Sequence, residues 1–177
     1  MILQYFKKKE NKDKANAEII YLDIIYVVKT FINKKNLYIK KDLNSSFEIT
    51  TFLLCCIFYG VKISNDGKSK KLTQELMDLF IKDLDHSFRI SGVSDMKIGK
   101  TVKLYVKKFY FRLNKVESIF DKQRKDQLSE YIQSLDIFDS NNDKSELISE
   151  LYNNSNNLIN SIKKDHIIKF NMFNNTN

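Results

Sequence analysis

The near absence of helix-breaking residues constrains this chain most. It has 177 residues, with no proline and only four glycines. Both residue types interrupt helices, and all-β folds need many turns built from them. The hydrophobic share of 42%, which includes thirteen Phe and nine Tyr, is enough to form a core. We therefore predict an all-α fold, a single compact domain built as a bundle of about five to seven helices.

Charge and cysteine content narrow the function classes. The formal net charge is +8, and the pI is near 9.3, which favours anionic partners such as nucleic acid, acidic lipid headgroups or acidic protein surfaces.

Cys55 and Cys56 are adjacent in an apolar run. Neighbouring cysteines rarely bridge each other, so we expect two buried thiols in a reducing compartment. The N-terminus lacks a signal-peptide pattern. The uncharged apolar run at 52–61 is about half a membrane span, so we expect a soluble or at most peripheral protein.

The first half of the chain reads as a tail followed by helices. Residues 1–14 are expected to form a flexible tail, and a helix should cover 15–32. A loop follows at 33–46. The apolar run at 47–61 could be a strand or a buried helix by period alone, and its length and helical surroundings favour a core helix. Asn65-Asp66-Gly67 is the expected turn after it.

In the second half of the chain, the helical spacing of apolar residues is clear at first and less clear towards the end. An amphipathic helix is predicted at 69–90, with apolar residues every fourth position. Gly92 suits a left-handed helix end, and Ser94 or Asp95 can cap the next helix. That helix, at about 95–120, should be the longest, and a shorter one is expected at 124–137. Residues 143–177 have helical spacing but many Asn residues, which indicates one or two loosely attached helices with a disordered end. The expected division is therefore a tail at 1–14, a helical domain at 15–138 and an Asn-rich, partly disordered extension at 139–177.

The helix at 95–120 is expected to present a binding surface. At 100° per residue eight of its apolar positions, from Ile98 to Phe120, fall on one stripe that should face the core. The opposite half is basic, and no acidic residue lies between Met96 and Val116. Solvated helix faces normally mix charge signs because like charges repel. Two apolar residues also fall on the basic half, which suits a partner that is both acidic and apolar. The predicted binding residues are Lys97, Lys100, Lys103, Leu104, Lys107, Lys108, Phe111, Arg112 and Lys115. A plain solvated face in a lysine-rich protein is the alternative interpretation.

Several short segments resemble one known family. Residues 83–95 read DLDHSFRISGVSD, which contains an acidic pair, an Arg and then Gly-Val-x-Asp. Residues 98–103 read IGKTVK, and residues 109–112 read FYFR. In this order they are similar to the ubiquinol–cytochrome c chaperone family, as are Asp42 and the Phe-Glu segment at 47–48. The resemblance covers roughly 18–138. Phe111 stands where the family usually has glycine, and Leu53 lies near the place of an expected histidine.

The resemblance implies an assembly chaperone for the cytochrome bc (ubiquinol–cytochrome c reductase) complex. Expected partners are cytochrome b or its assembly intermediates, with the ribosome, a second assembly factor and peripheral membrane contact as further expectations. The expected location is the cytoplasmic face of the membrane in bacteria, or the mitochondrial matrix and inner membrane. The matching positions are Asp83, Asp85, Arg89, Gly92, Asp95 and Tyr110. By spacing, Asp85 and Arg89 are neighbours on a helix, and Asp95 can reach Arg89, which favours a structural role in setting the angle between two helices. Direct contact with a client is the alternative interpretation of this cluster.

Other functions fit the sequence less well. An RNA-binding or ribosome-associated helical protein shares the charge, although the chain has no zinc spacing or Gly-rich RNA loop. An enzyme is not expected, because the two histidines, His86 and His166, are far apart and the chain has no nucleophile elbow or phosphate loop. His86 is expected to be an exposed helix residue. We therefore predict no catalytic residue, no metal site, no cofactor and no small-molecule substrate.

Overall fold

The computed structural model describes residues 2–34, 37–64, 69–122, 124–138, 144–165 and 168. Over these residues the chain forms six helices and no strand, apart from one isolated antiparallel bridge between Ile39 and Phe138. The all-α prediction is therefore confirmed. In chain order the helices are α1 Ile2–Asn33, α2 Leu43–Ser64, α3 Ser69–Ile90, α4 Asp95–Asp121, α5 Lys125–Gln133 and α6 Ser145–Asp165.

Helix α2 is the centre of the bundle. It contacts α1, α3, α4 and α6. Residues on different sides of this helix, such as Phe52, Leu54 and Cys56, are all at most 1% exposed. The strand alternative for 47–61 was therefore wrong, because the segment is a helix buried around its whole circumference. By length and composition α2 could cross a membrane, yet 78% of its apolar window is buried inside the protein. That burial is typical of a helix in the core of a bundle.

Asp42 fixes the beginning of α2. The Ser45 amide donates a hydrogen bond to Asp42 Oδ1 at 2.7 Å, and the Ser46 amide donates to the Asp42 carbonyl. This is the arrangement of a helix N-cap, in which the side chain accepts from an otherwise unpaired amide. The hydrogen bond from Ser45 lowers the pKa of Asp42 below its usual value.

Replacing Asp42 by Ala is expected to lower the free energy of unfolding by about 1 kcal/mol at pH 7. Because the folded pKa is depressed, the ionised cap stabilises the fold above about pH 4, the usual value, and this contribution is lost as the pH falls through the folded pKa. Urea unfolding of both proteins at pH 7 and near pH 3 tests this. A difference that stays constant or grows on acidification would contradict it.

Helices α3 and α4 form an amphipathic pair whose bounds match the prediction closely. Gly92 has φ +81°, and the amides of Val93 and Gly92 donate to the carbonyls of Phe88 and Arg89, both at 3.0 Å. This Schellman motif ends α3, as the sequence predicted. Ser94 occupies the N-cap of α4, one of the two positions that the sequence offered, but its side chain makes no capping hydrogen bond.

Three boundaries differ from the sequence prediction. Helix α1 begins at Ile2 rather than at residue 15, because nothing between them interrupts a helix. Helix α2 begins at Leu43, inside the predicted loop, where Asp42 supplies the cap. Helix α5 ends at Gln133, before the predicted end at 137, and the backbone amide of Lys40 donates to the Ile137 carbonyl beyond it. The division into tail, domain and extension stays a prediction. The expected turn at 65–67, the break at 139–142 and the chain end after 168 lie outside the described residues.

Helix α6 belongs to the hydrophobic core and is not loosely attached. Its buried side chains include Leu147, Leu151, Leu158 and Ile162, and the helix packs mainly on α2. Gly60 of α2 allows this close approach, because a Cβ built there would lie 3.0 Å from Cδ1 of Ile162. The Asn residues of α6 fall between the apolar positions and leave its inner face intact.

Candidate functional site

Buried aromatic side chains fix the orientation of α4. Phe109 is fully buried, and its ring centroid lies 5.6 Å from that of Phe58 on α2 and 5.5 Å from that of Phe80 on α3. Tyr105 makes edge-to-face contacts at 4.7 Å with both Phe47 and Phe88. Aromatic pairs at these distances contribute packing energy beyond their buried area. One side of α4 is therefore held against two neighbouring helices.

The opposite side of α4 carries an exposed cationic surface. Five of the six predicted binding lysines are exposed, and none of the five has an acidic partner within ion-pair distance among the described residues. We call this surface, together with its apolar members, the basic face: Lys97, Lys100, Lys103, Leu104, Lys107 and Phe111. Unopposed charges of one sign raise the local potential and attract anionic groups.

Exposed apolar side chains lie among these lysines. Phe111 is 70% exposed and Leu104 is 52% exposed, as the helical spacing predicted. Two further residues on α4, Met96 at 98% and Tyr110 at 50%, were not counted on this surface from the sequence, although Met96 directly precedes the first lysine. A cationic surface with apolar members suits a partner that offers both acidic and apolar groups.

Arg112 does not belong to the open surface. Its guanidinium donates from Nε and Nη2 to the two carboxylate oxygens of Glu48 on α2, and the exposed fractions of the two side chains are only 18% and 5%. A fork-to-fork pair of this kind is geometrically specific. The sequence assigned Arg112 to partner binding. The structure instead shows it joining α4 to α2.

Two other predicted binding residues are partly engaged within the chain. Lys108 is half-buried, and its Nζ lies 4.5 Å from the centre of the Tyr105 ring. Lys115 is exposed, and its Nζ lies 5.2 Å from the centre of the Tyr131 ring. Cation–π contacts at these distances are attractive. Both residues border the basic face but are less available than its four lysines.

A cavity of about 360 Å³ opens beside Phe111. Its walls include the Glu48–Arg112 pair, Lys115 and Tyr131, and the Tyr131 hydroxyl is buried with no hydrogen-bond partner among the described residues. Desolvation raises the pKa of Tyr131. The cavity adds a polar recess next to the exposed ring of Phe111.

The family-like segment around Gly92 clamps the end of α3 to the beginning of α4. Arg89 Nε donates to Asp85 Oδ2 at 2.7 Å, and Arg89 Nη1 donates to Asp95 Oδ1 at 2.5 Å. The hydrogen bond from Arg89 lowers the pKa of Asp85. The sequence left open whether Asp95 caps α4 or reaches Arg89, and in the structure it reaches Arg89. All three residues remain substantially exposed, so they also form a surface next to the start of the basic face.

Asp83 and His86 have separate positions on α3. Asp83 accepts a hydrogen bond from the Tyr21 hydroxyl at 2.9 Å, which joins α3 to α1. Desolvation and the Asp83 charge raise the pKa of Tyr21. His86 is exposed, as expected. Asp83 and Asp85 thus point to different partners and do not form a carboxylate pair.

Metal-ligating and nucleophilic groups form no cluster in the part of the chain that the structure describes. No group of three His, Cys, Asp or Glu side chains there could hold a metal ion. Cys55 and Cys56 are fully buried free thiols in α2, as predicted. Burial raises the pKa of both thiols, which disfavours the reactive thiolate.

The sequence reasoning missed the residue that most affects the site, Glu48. The Phe-Glu segment at 47–48 was noted for its family likeness, but nothing local indicated that Glu48 pairs with a residue 64 positions away. The sequence could have indicated this pair only through the position of Glu48, an acidic residue at the start of an otherwise apolar helix. A buried carboxylate needs a cationic partner.

Comparison with known proteins bears on the family and on the fold. The family model described as Ubiquinol-cytochrome C chaperone matches residues 35–167. No curated protein sequence matches the chain. Among solved structures, a crystal structure of the Cbp3 homologue from Brucella abortus aligns with a TM-score of 0.70 at 22% identity, and the alignment covers 93% of this chain and 89% of that one. At this identity the structural likeness concerns the fold. The family match extends past residue 138, where the sequence resemblance ended, and includes all of α6.

Proposed function

Because the chain belongs to the ubiquinol–cytochrome c chaperone family, we propose that it assists assembly of ubiquinol–cytochrome c reductase by holding a subunit before it is incorporated. We propose cytochrome b, or an assembly intermediate that contains it, as the client. The proposal assigns binding to the basic face of α4. On this view the protein acts by association and not by catalysis.

The observation that carries the proposal is the combination of charge and exposed apolar area on α4. A membrane protein before assembly exposes apolar helices joined by polar loops. Leu104 and Phe111 offer apolar contact, and the neighbouring lysines can bind acidic loop residues. Because α4 is held from behind by Phe109 and Tyr105, the surface is presented without prior ordering of the helix. Such preorganisation favours binding.

The location and further partners follow as parts of the same proposal. A client made at a membrane places the chaperone at the cytoplasmic face in bacteria, or at the matrix side of the inner membrane in mitochondria. A net charge of +8 is compatible with a position near ribosomal RNA or anionic lipid headgroups. A second assembly factor would need a different surface from the basic face.

The experiment compares two triple charge reversals in a pull-down from detergent-solubilised membranes. Lys100→Glu/Lys103→Glu/Lys107→Glu changes the basic face, and Lys14→Glu/Lys82→Glu/Lys122→Glu makes the same change in net charge at exposed lysines elsewhere. We expect the first variant to recover at least about tenfold less cytochrome b than wild type, because like charges now oppose an acidic client. The second variant should recover nearly the wild-type amount.

A salt series separates the apolar from the ionic contribution. Leu104→Ser/Phe111→Ser should also lose the client, and this loss should persist at high salt, because salt screens charges but not apolar contacts. Equal losses in both charge variants would remove the basic face from the proposal. If RNA is recovered without cytochrome b, and salt releases it, the protein is an RNA-binding protein and the chaperone proposal is wrong.

A further inference from the structure

Helix α1 exposes apolar side chains on the side that faces away from the bundle. Its inner side packs on α2 and α3, with Ile24 and Phe31 fully buried. On its outer side Ile19 is 60% exposed, Leu22 is 67% exposed and Tyr26 is 64% exposed. Three large apolar residues on one helix face exceed the scattered single exposures that are normal on a protein surface.

The spacing along this outer side is that of a helix-pairing seam. The positions alternate by four and three residues, as in a two-helix coiled coil. We call them the outer seam: Ala15, Ile19, Leu22, Tyr26, Lys29 and Asn33. All six are exposed. A seam of this length suits a partner helix that lies along α1.

We propose that the outer seam pairs with the outer seam of a second copy of this chain, antiparallel, about a two-fold axis near Ile24. The six positions are symmetric about that residue, so each seam residue meets another seam residue. Leu22 lies opposite Tyr26 of the second copy, and Ile19 lies opposite Lys29 of the second copy. A two-fold interface requires this self-complementarity.

Charge complementarity selects this arrangement. Glu18 and Lys29 are exposed on the same flank of the seam, about three turns apart, so they do not pair within one helix. In the antiparallel arrangement Lys29 covers Ile19 of the second copy with its aliphatic stem and brings its ammonium next to Glu18 of that copy. The same contact forms twice. A parallel arrangement would instead place Lys29 beside Lys29 of the second copy, which is unfavourable.

The expected dimer is weak. One helix seam buries less than the roughly 1,600 Å² of a standard interface. Each copy also carries a net charge of +8, but at physiological salt the Debye length is about 8 Å, so most of the repulsion outside the seam is screened. The dimer should therefore form between micromolar and millimolar concentration. The seam is on a different helix from the basic face, so this inference does not depend on the proposed client.

Sedimentation velocity on the full chain over that concentration range tests the pairing. Wild type should shift reversibly from the mass of one chain towards two. Leu22→Glu should remain at the mass of one chain. Ile90→Glu, which changes another exposed apolar residue at 74% exposure, should behave as wild type. Circular dichroism confirms that the variants remain folded.

A charge swap tests the register. Glu18→Lys or Lys29→Glu alone should weaken dimerisation by about three- to tenfold. The combined swap should restore the wild-type dissociation constant to within about twofold, since it exchanges the partners of each ion pair. The proposal is overturned if wild type stays a monomer throughout or if Leu22→Glu leaves the dimer unchanged. It is also overturned if the double variant loses as much dimer affinity as the two single variants together.

Discussion

Arg112→Ala should lower the free energy of unfolding by about 3–4 kcal/mol, one of the two largest effects expected in this protein. The substitution leaves the Glu48 carboxylate, which is only 5% exposed, without its cationic partner on α4. A buried charge without a partner costs far more than an exposed one. Urea unfolding at pH 7, followed by circular dichroism, measures the loss.

Two control variants isolate the cause. Replacing both partners, as Glu48→Met/Arg112→Met, should recover most of the lost stability, because a pair of apolar side chains of similar length leaves no charge buried. Lys107→Ala, five residues earlier on α4 and exposed, should change stability by less than about 0.5 kcal/mol. If Arg112→Ala unfolds like wild type but no longer captures the client, Arg112 acts in binding and its structural assignment is wrong.

Phe109→Ala should cost about 4 kcal/mol, whereas Phe111→Ala, two residues along the same helix, should cost less than about 0.5 kcal/mol. Phe109 is fully buried between Phe58 and Phe80, so its truncation leaves a cavity where three helices meet. Phe111 is 70% exposed and loses little packing. Thermal and urea unfolding of the two variants make the comparison.

Client capture should show the reverse order for these two positions. Phe111→Ala should reduce recovery of cytochrome b while the protein remains folded. Phe109→Leu, a milder change that retains an apolar core, should retain both fold and capture. Capture that follows stability at both positions would mean that the basic face has no direct part in binding.

The sequence predicted the elements whose apolar pattern repeats regularly and whose ends carry a local signal. Helix α3 matched because its apolar residues recur every fourth position, and Gly92 marked its end with the positive φ that glycine adopts easily. Helix α4 matched because its apolar stripe and lysines separate cleanly by helical angle. In both cases the information lies within a few turns of chain.

Features that depend on distant pairs were not predictable in this way. By helical angle Arg112 sits at the edge of the lysine-rich half of α4, and only the fold brings it to Glu48, 64 positions earlier. Likewise, the sequence predicted a helix at 15–32, but the exposure of Ile19 and Leu22 depends on where α2 and α3 pack on α1. The apolar spacing of α6 was present in the sequence. Its many Asn residues nevertheless led to the prediction of a loosely attached helix, because Asn is uncommon in packed helices.

The central position of α2 has a consequence for how the protein is made. This helix is apolar enough to resemble a membrane span, and it emerges from the ribosome well before α4 and α6, which cover it. During synthesis it is therefore a segment that insertion machinery or neighbouring apolar chains can capture. Burial of α2 is complete only after α6 has been translated, so the rate of elongation through α4 and α6 sets how long the nascent chain remains exposed to that competition.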